Sequence, residues 1–451
     1  MASIVKRKNK FAVVYTAEDE RGVKRQKWET FSTLTEAKKR KIQVEFAETT
    51  GSLTYPSAKT VSELLKEYVD LYGTNKWSPS TFDANKGLID NYINPNIGNM
   101  KLSDVTPRIM DHFYRNLQKV KSKQKPFGKS TSEFITPTTI KNIHKILRSA
   151  FNQAVKWELM QRNPVENCTL PKAEEKKREI WDAETVLRAL ELCDDPILSL
   201  AIHLAFSCSL RIGELLALTW DCVDISSESI ERGKAYLYVN KELQRVSKAS
   251  LEALEEKDII YKFPAIMPNN TTALIIKPPK TRTSVRKIFL PKTVAEHLSD
   301  RKAEVEELKA VFGEEYEDYN LVICAKNGRP LEGQHINRAL KALIKEHDLP
   351  DIVFHSLRHT STTYKLKISG GDIKAVQGDT GHAQATMVTE RYAHILDDDR
   401  RINAERFEQE FYSGREEHSA NETMVSNPEI LKLAGLLLES PKLMEFLKGM
   451  V

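Results

Sequence analysis

Three Ser/Thr-Pro dipeptides, Ser78-Pro79, Thr106-Pro107 and Thr136-Pro137, constrain the fold of this chain more than any other feature. Proline is tolerated in the first turn of a helix, where its missing N–H has no partner to lose, and a hydroxyl just before it can accept from the free N–H groups of that turn. Each dipeptide therefore marks a helix start. The runs that follow, PSTFDANKGLIDNYI, TPRIMDHFYRNLQKV and TPTTIKNIHKILRSAFNQAVKWEL, place apolar residues at helical spacing. With VSELLKEYVDLYG ahead of them they predict an all-α four-helix domain over residues 57–165. Between the third and fourth helices, KSKQKPFGKSTSE is a polar surface loop whose Lys121, Lys123, Lys125 and Lys129 are placed to meet a phosphate backbone.

The pattern changes on both sides of this domain. Residues 1–56 read as short strands around SIVKRK, KFAVVYTA and KRQKWETFS followed by a helix from Thr35, a small β-sheet plus one helix. Alternation along the third strand puts Lys24 and Gln26 on one face and Val23, Arg25 and Lys27 on the other; with Lys8, these cations suit the sheet to a polyanion. After Arg162, the proline-containing and heavily charged NPVENCTLPKAEEKKRE reads as an interdomain linker over about 163–178. A third domain, 175–412, mixes helices (DAETVLRALELC, PILSLAIHLAFSC, IGELLALTW) with strands (KAYLYVNKELQRV, TALIIKPPK, SVRKIFLP) and returns to helices from Pro291, an α+β pattern. The stretch 247–270 reads as an insertion or long hairpin excursion with no function legible in it. A tail over 413–451 ends in two short amphipathic helices, PEILKLAGLLLES and PKLMEFLKGMV, whose leucines need a surface on the same chain or on a neighbouring protomer.

Charge is distributed unevenly. Residues 1–170 hold 29 Lys+Arg against 17 Asp+Glu, a balance of +12, which leaves 39 against 46 for the remainder. A polyanion is drawn to the first third, whereas the later domain must gather its cations locally. No run of about 18 apolar residues could span a membrane. MASIVKRKNK has no apolar segment or cleavage site behind it, so the expected location is the cytoplasm. The five cysteines have neither disulfide nor zinc-ligand spacing.

The chemistry lies in a set of residues. Arg211 in SLRIGELLALTW, taken alone, is a helix-start arginine paired with Glu214; His355 and Arg358 in FHSLRHT share a helix face; His382 and Tyr392 follow in TGHAQATMVTERYAHI. Together, two arginines, two histidines, a lysine in a hairpin and a late tyrosine meet the needs of phosphodiester transesterification without a metal. Guanidiniums bind nonbridging oxygens bidentately and offset charge developing at phosphorus. Histidines move protons near neutrality. A free phenol has a pKa of about 10, so ionising one at pH 7 costs about 4 kcal/mol unless cations or a base assist. A lysine such as Lys280, in the turn-like PPKTRTS between two strands, can protonate a leaving 5′ oxygen. Lys277, three residues earlier, competes for that role.

The order SLRIGELLALTW, PPKTRTSVRKIFLP, FHSLRHT, TGHAQATMVTERYAHI closely resembles the motif boxes of the tyrosine recombinases, in particular integrases of phages and conjugative transposons. On that likeness Arg211, Lys280, His355, Arg358 and His382 are catalytic, Tyr392 is the nucleophile and Glu214 supports Arg211. Lys280 is favoured over Lys277 because the family's Pro-Lys-Thr string falls there. NPNIGNMKLSDVTP looks like a turn of the family's helical core-binding, SAM-like domain, and residues 1–56 look like its arm-site-binding domain. Thr380-Gly381-His382 stands where Leu-Gly-His is common, which bears on packing beneath the histidine.

The resemblance implies a site-specific recombinase that integrates and excises a phage or other mobile element through a 3′-phosphotyrosine, with no cofactor and no metal. Its expected partners are double-stranded DNA attachment sites, three further copies of itself in a homotetramer on DNA, a possible excisionase or recombination directionality factor, and a host DNA-bending protein in a bacterial cell. Two rivals are a type IB topoisomerase-like enzyme and a non-catalytic DNA-binding regulator.

Overall fold

The computed structural model describes residues 2–7, 10–18, 24–49, 59–123, 132–172, 179–267 and 269–381, with positions 405, 408 and 432. Its contacts divide the chain into two compact units, Met1–Arg178 with Glu242–Pro278, and Glu179–Lys241 with Pro279–Val451. The two C-terminal helices expected within 413–451 lie outside the described residues.

The first unit begins with an antiparallel meander of β1 (Ser3–Arg7), β2 (Lys10–Glu18) and β3 (Lys24–Phe31), with β2 central. Helix α1 (Leu34–Thr49) covers one face, and Ala2, Val13, Tyr15, Ala37 and Val44 are buried between them. On that face the Tyr15 hydroxyl donates to Glu29 at 2.6 Å, and Arg40 of α1 closes on the same carboxylate at 2.7 Å. Burial alone would raise the Glu29 carboxyl; the hydrogen bonds from Arg40 and Tyr15 bring it down to about 2.

The helical part of this unit starts with α2 (Val61–Glu67), entered through a capping box in which Thr60 Oγ1 accepts from Glu63 N and the Glu63 carboxylate accepts from Thr60 N. A π-helical turn, Tyr68–Gly73, carries it into α3 (Thr74–Lys76). A side chain at Gly73 would stand 2.8 Å from the Trp77 ring, so glycine is what lets Trp77 fold back to within 5.5 Å of Tyr68. Helix α4 (Pro79–Leu88) likewise passes through a π turn into α5 (Asn94–Ile97), and α6 (Pro107–Leu117) and α7 (Pro137–Lys156) complete the bundle. Thr106 and Thr136 cap as their sequence predicts, accepting from Ile109 N and Thr139 N. Ser78 instead bonds the Thr81 hydroxyl. Leu64, Ile93, Met110, Leu117, Ile140, Ile143, Leu147 and Phe151 form the buried core.

One sequence reading is corrected here, and another, the long hairpin excursion, is present. The first half of the expected linker is docked, because Val165 is fully buried in the helical core, Asn163 donates to Arg148 O and Asn152 Oδ1, and Thr169 N donates to Asp111. The excursion at 247–270 belongs to a folded element: β6 (Glu242–Ser247), α12 (Lys248–Ala253), β7 (Tyr261–Lys262) and β8 (Thr272–Lys277) make a sheet of order β6-β8-β7. It is fastened to α4 by Ser247, whose hydroxyl donates to Asp83 Oδ1 at 2.7 Å and whose N–H reaches Oδ2 at 3.3 Å.

The second unit comprises α8 (Ala183–Glu191), α9 (Pro196–Ser207), α10 (Ile212–Leu216), β4 (Val223–Asp224), α11 (Ser227–Glu231), β5 (Tyr236–Val239), β9 (Arg286–Phe289), α13 (Lys292–Phe312), α14 (Gly333–Glu346), α15 (Phe354–Ile368) and α16 (Ile373–Thr380). Helix α9 is apolar nearly all round and so occupies the middle, touching α8, α10, α13, α14 and α15. Strands β4, β5 and β9 form its small antiparallel sheet.

Three further readings change. IGELLALTW is helical only to Leu216, after which Thr219 bridges to Leu321. KAYLYVNKELQRV is two strands, broken at Asn240 and Lys241. The strands flanking Lys280 are not a hairpin pair, since β8 pairs with β6 and β7 while β9 pairs with β5. Two residues join β5 to β6, whereas 278–285 joins β8 to β9; the excess length leaves Lys280 on a loop and not in a tight turn.

Candidate active site

The site is built around one carboxylate. Ser209 adopts a left-handed backbone (φ 52°), and the next turn of chain brings Arg211, in extended conformation, to the N-cap of α10. Glu214, three residues on, is 3% exposed. Its Oε1 accepts from Arg211 Nη1 at 2.6 Å, and its Oε2 accepts from Arg211 N and from Arg286 Nη2, each at 3.0 Å. Burial would push the Glu214 carboxyl up, yet the Arg286 and Arg211 guanidiniums hold it below the ordinary carboxylate range. The helix-start pairing of Arg211 with Glu214 read from the sequence is present, and Arg286 is a further partner of the same carboxylate.

Arg358, on α15, is 1% exposed and donates to the carbonyls of Ser209 and Thr380. Burial, with Arg211 and Arg286 nearby, pushes its pKa down to about 9. That is still well above neutrality, so it stays a cation at pH 7. Three guanidiniums thus share a neighbourhood with one carboxylate. The excess positive charge in a largely water-excluded setting is what binds an anion with dispersed charge, such as a phosphodiester approaching a pentavalent state.

Arg286 was not singled out by sequence reasoning. Its signal was there: in SVRKIFLP, alternation puts Arg286 on the same inward face as Ile288, and both are buried. A charge on the inward side of a short strand needs a partner, and here it has three: Glu214, the Ser284 carbonyl and the Asp379 carbonyl.

The two lysines are told apart by their surroundings. Lys277 is 8% exposed at the end of β8 and pairs with Glu242 at 2.7 Å, held by strand register in the first unit. Lys280 is exposed, just before a turn in which Ser284 N donates to Thr281 O at 3.0 Å and the Thr281 and Ser284 hydroxyls meet at 2.9 Å. His355 is exposed in the first turn of α15, edge-on to His359 with ring centroids 4.6 Å apart.

His382 and Tyr392 lie outside the described residues, but the approach to His382 is visible. Thr380 is fully buried and its hydroxyl donates to Val376 O at 2.8 Å, so a threonine is accommodated there within the helix. Gly381 ends α16 in the left-handed region (φ 63°), and a Cβ on it would stand 2.9 Å from Thr283 O and 3.1 Å from Arg286 Cδ. Gly381→Ala is expected to cost about 1–3 kcal/mol of stability from the backbone alone. It also pushes the entry to His382 away from Arg286. A thermal melt and a cleavage assay on the same sample check both, with cleavage lost beyond what partial unfolding explains.

Of the basic residues read as DNA-facing, Lys8, Lys125 and Lys129 are outside the described residues, and only the strand position of Lys24 is described. Arg25 is exposed on β3. Lys27 is half-buried beside Tyr15 and pairs with Glu29 at 3.4 Å. Lys121 is highly exposed and pairs with Glu133, and Lys123 donates to Asn91 at 2.8 Å. On the other face of the sheet, the Arg7 guanidinium lies 4.5 Å above the exposed Trp28 ring. No group of three or more metal-ligating side chains occurs among the described residues, and none of their helices is long and apolar enough to cross a membrane.

Residues 265–399 match the phage integrase family, and residues 60–118 match the N-terminal SAM-like domain of phage integrases. The first match spans Lys280, Arg286, Arg358, His382 and Tyr392; Arg211 and Glu214 precede it. Among curated proteins the chain is similar to a XerC-like tyrosine recombinase of Caldanaerobacter subterraneus, 25% identical over 70% of this chain and 75% of that one. It is also similar to the ICEBs1 integrase of Bacillus subtilis, 21% identical over 79% and 83%. Among solved structures, the Tn1549 transposon integrase in complex with a circular intermediate DNA superposes with a TM-score of 0.59 at 19% identity, over 78% of this chain and all of that one, a likeness of fold.

Proposed function

As a tyrosine recombinase that resembles the integrases of mobile elements, this chain, we propose, integrates and excises its element by cutting and rejoining DNA at attachment sites through Tyr392. The observation that carries the reading is the meeting of Arg211, Arg286 and Arg358 around the buried Glu214 carboxylate. Three guanidiniums around one carboxylate leave a net positive charge that is costly to bury, and an incoming anion would offset it.

In the proposed reaction the Tyr392 phenolate oxygen forms a bond to phosphorus and the bond to the 5′ oxygen breaks. The products are a 3′-phosphotyrosine and a 5′ hydroxyl. Arg211 and Arg358 hold the nonbridging oxygens, with Glu214 fixing the fork of Arg211. His355 and His382 hydrogen-bond the phosphate and move protons, and Lys280 delivers the proton to the leaving oxygen. A 5′ hydroxyl from the partner strand then attacks the phosphotyrosine, restoring the phenol. The ester's energy is retained throughout, so no nucleotide or metal is called on.

Four functional segments follow from this reading: residues 1–56 to hold arm sites, 57–165 and 175–412 to close on the core site, and 413–451 to link neighbouring copies. Exchange between two duplexes needs four tyrosines, hence a homotetramer on DNA, with a directionality factor or DNA-bending protein as accessory. Lys8, Lys24, Arg25, Lys121, Lys123, Lys125 and Lys129 are proposed to touch phosphates, and Lys27, half-buried against the sheet, to contribute least.

The test is the topology of the products. A supercoiled plasmid carrying the element's joined ends, incubated with the protein in EDTA, is expected to yield recombinant circles. Relaxed circles alone would favour a topoisomerase-like enzyme, and tight binding with no change in topology would favour a DNA-binding regulator.

A further inference from the structure

Three stretches of the second unit that are far apart in sequence meet at one side chain. Arg286 Nη2 donates to Glu214 Oε2 at 3.0 Å, in the segment that bears Arg211. Its Nη1 donates to Ser284 O at 2.8 Å, closing the turn that follows Lys280. Its Nε donates to Asp379 O at 2.8 Å, at the end of α16, two residues before the chain turns at Gly381 toward His382. Each nitrogen of a planar fork thus serves a different segment, a task the single ammonium of lysine cannot perform. The turn itself is held from both ends, since Arg211 Nη1 also reaches Ser284 Oγ at 3.4 Å, and the missing Cβ of Gly381 lets Thr283 O come close.

We propose that Arg286 is a positioning residue of the cleavage site, whose buried guanidinium sets the Lys280 turn against the Glu214–Arg211 pair and against the strand of chain entering His382. The inference rests on the reading of Lys280 as the proton donor to the leaving oxygen. Arg286 does not itself touch the DNA; it acts by keeping the lysine within reach of one oxygen. Proton delivery is a step in which a displacement of about 1 Å costs about a hundredfold in rate.

A second arginine of the same unit supplies the control. Arg301 on α13 is equally buried, donates to the carbonyls of Val322 and Cys324 and pairs with Glu304 at 2.7 Å. It has the chemistry of Arg286, a guanidinium spanning two carbonyls and a carboxylate, without the neighbours that the reaction uses. Loss of either arginine removes buried support from the fold, with the Glu304 left by Arg301 more exposed than the Glu214 left by Arg286. Only loss of Arg286 is expected to change which leaving group the enzyme can expel.

The experiment compares single-turnover cleavage of two DNA duplexes by the full chain, one with an ordinary scissile phosphodiester and one with sulfur in place of the 5′-bridging oxygen. A thiolate leaves without protonation, so the sulfur substrate makes the general acid dispensable. On ordinary DNA, Lys280→Ala and Arg286→Gln are each expected to slow cleavage by about a hundredfold; on sulfur DNA both are expected to return to within about tenfold of the unaltered chain. Arg286→Lys, which keeps the charge and so guards against misfolding of the glutamine variant, is expected to lose about tenfold on ordinary DNA and to recover on sulfur. Arg301→Gln is expected to show the same small change on both substrates. Recovery of Lys280→Ala without recovery of the Arg286 variants would overturn the proposal and leave the reading of Lys280 standing. Failure of Lys280→Ala to recover would remove that reading and the proposal with it. Cleavage by Arg286→Lys at the unaltered rate on ordinary DNA would also overturn it.

Discussion

Glu214→Ala is expected to lower folding stability by about 3–5 kcal/mol, the usual penalty for removing one partner of a buried ion pair. The reason is what it leaves behind. Arg286 is 7% exposed and Arg358 1%, and Glu214 is the carboxylate whose field offsets both of these cations and Arg211. Without it, like charges face one another with little water between them, and the N-cap of α10 loses the acceptor for its backbone N–H. Chemical denaturation monitored by circular dichroism measures the loss. The variant is also expected to cleave DNA about 10²–10³-fold more slowly, since Arg211 no longer has a fixed fork to offer the phosphate. Acid provides a second check. Because the folded state holds the Glu214 carboxyl below its ordinary range, its stabilisation is complete above the unfolded value and is lost as pH falls through the folded one. The variant should therefore lose less stability than the unaltered chain over that acid interval.

Tyr392→Phe is expected to abolish strand cleavage, by about 10⁶-fold if the nucleophile behaves as one member of an interdependent set. One oxygen is removed and nothing else changes. Phenylalanine keeps the ring, and the two arginines proposed to hold the phosphate, Arg211 and Arg358, are fixed by Glu214 and by the Ser209 and Thr380 carbonyls, none of which involves the tyrosine. Affinity for the attachment site is accordingly expected to stay within about threefold of the unaltered chain in a mobility-shift titration. A fall in affinity that parallels the fall in cleavage would mean that the tyrosine holds DNA and does not attack it.

Much of this was legible from local rules. The Thr-Pro starts at 106 and 136 set helix ends that the side chains then cap, because capping is decided within four residues. Arg211 and Arg358 could be picked out because the motifs that hold them are local as well, and both lie near Glu214 in the fold. What escaped the sequence depends on partners distant along the chain. The Glu214 carboxylate, expected to serve Arg211, also serves Arg286 from 72 residues away. Arg286 could be suspected only from a charge on the inward face of a four-residue strand. The excursion at 247–270 showed no function because its anchor, Asp83, lies 164 residues earlier. The supposed hairpin around Lys280 failed for a related reason: alternation predicts strands but says nothing of which strand pairs with which, and β8 and β9 choose different neighbours. Lys280 was preferred to Lys277 on the Pro-Lys-Thr string alone; that Lys277 faces Glu242 across the sheet follows from a register that the sequence does not print.

The central claim is that the arginine cluster serves a covalent exchange on Tyr392. The measurement that bears on it most directly is to incubate the chain in EDTA with a labelled attachment-site duplex nicked next to the scissile phosphate, quench with SDS, and map the labelled peptide. The expected result is a protein–DNA adduct whose label lies on the peptide containing Tyr392, absent from Tyr392→Phe. An adduct that persists in that variant or maps to another residue, or no adduct from a chain that binds the duplex tightly, would contradict it.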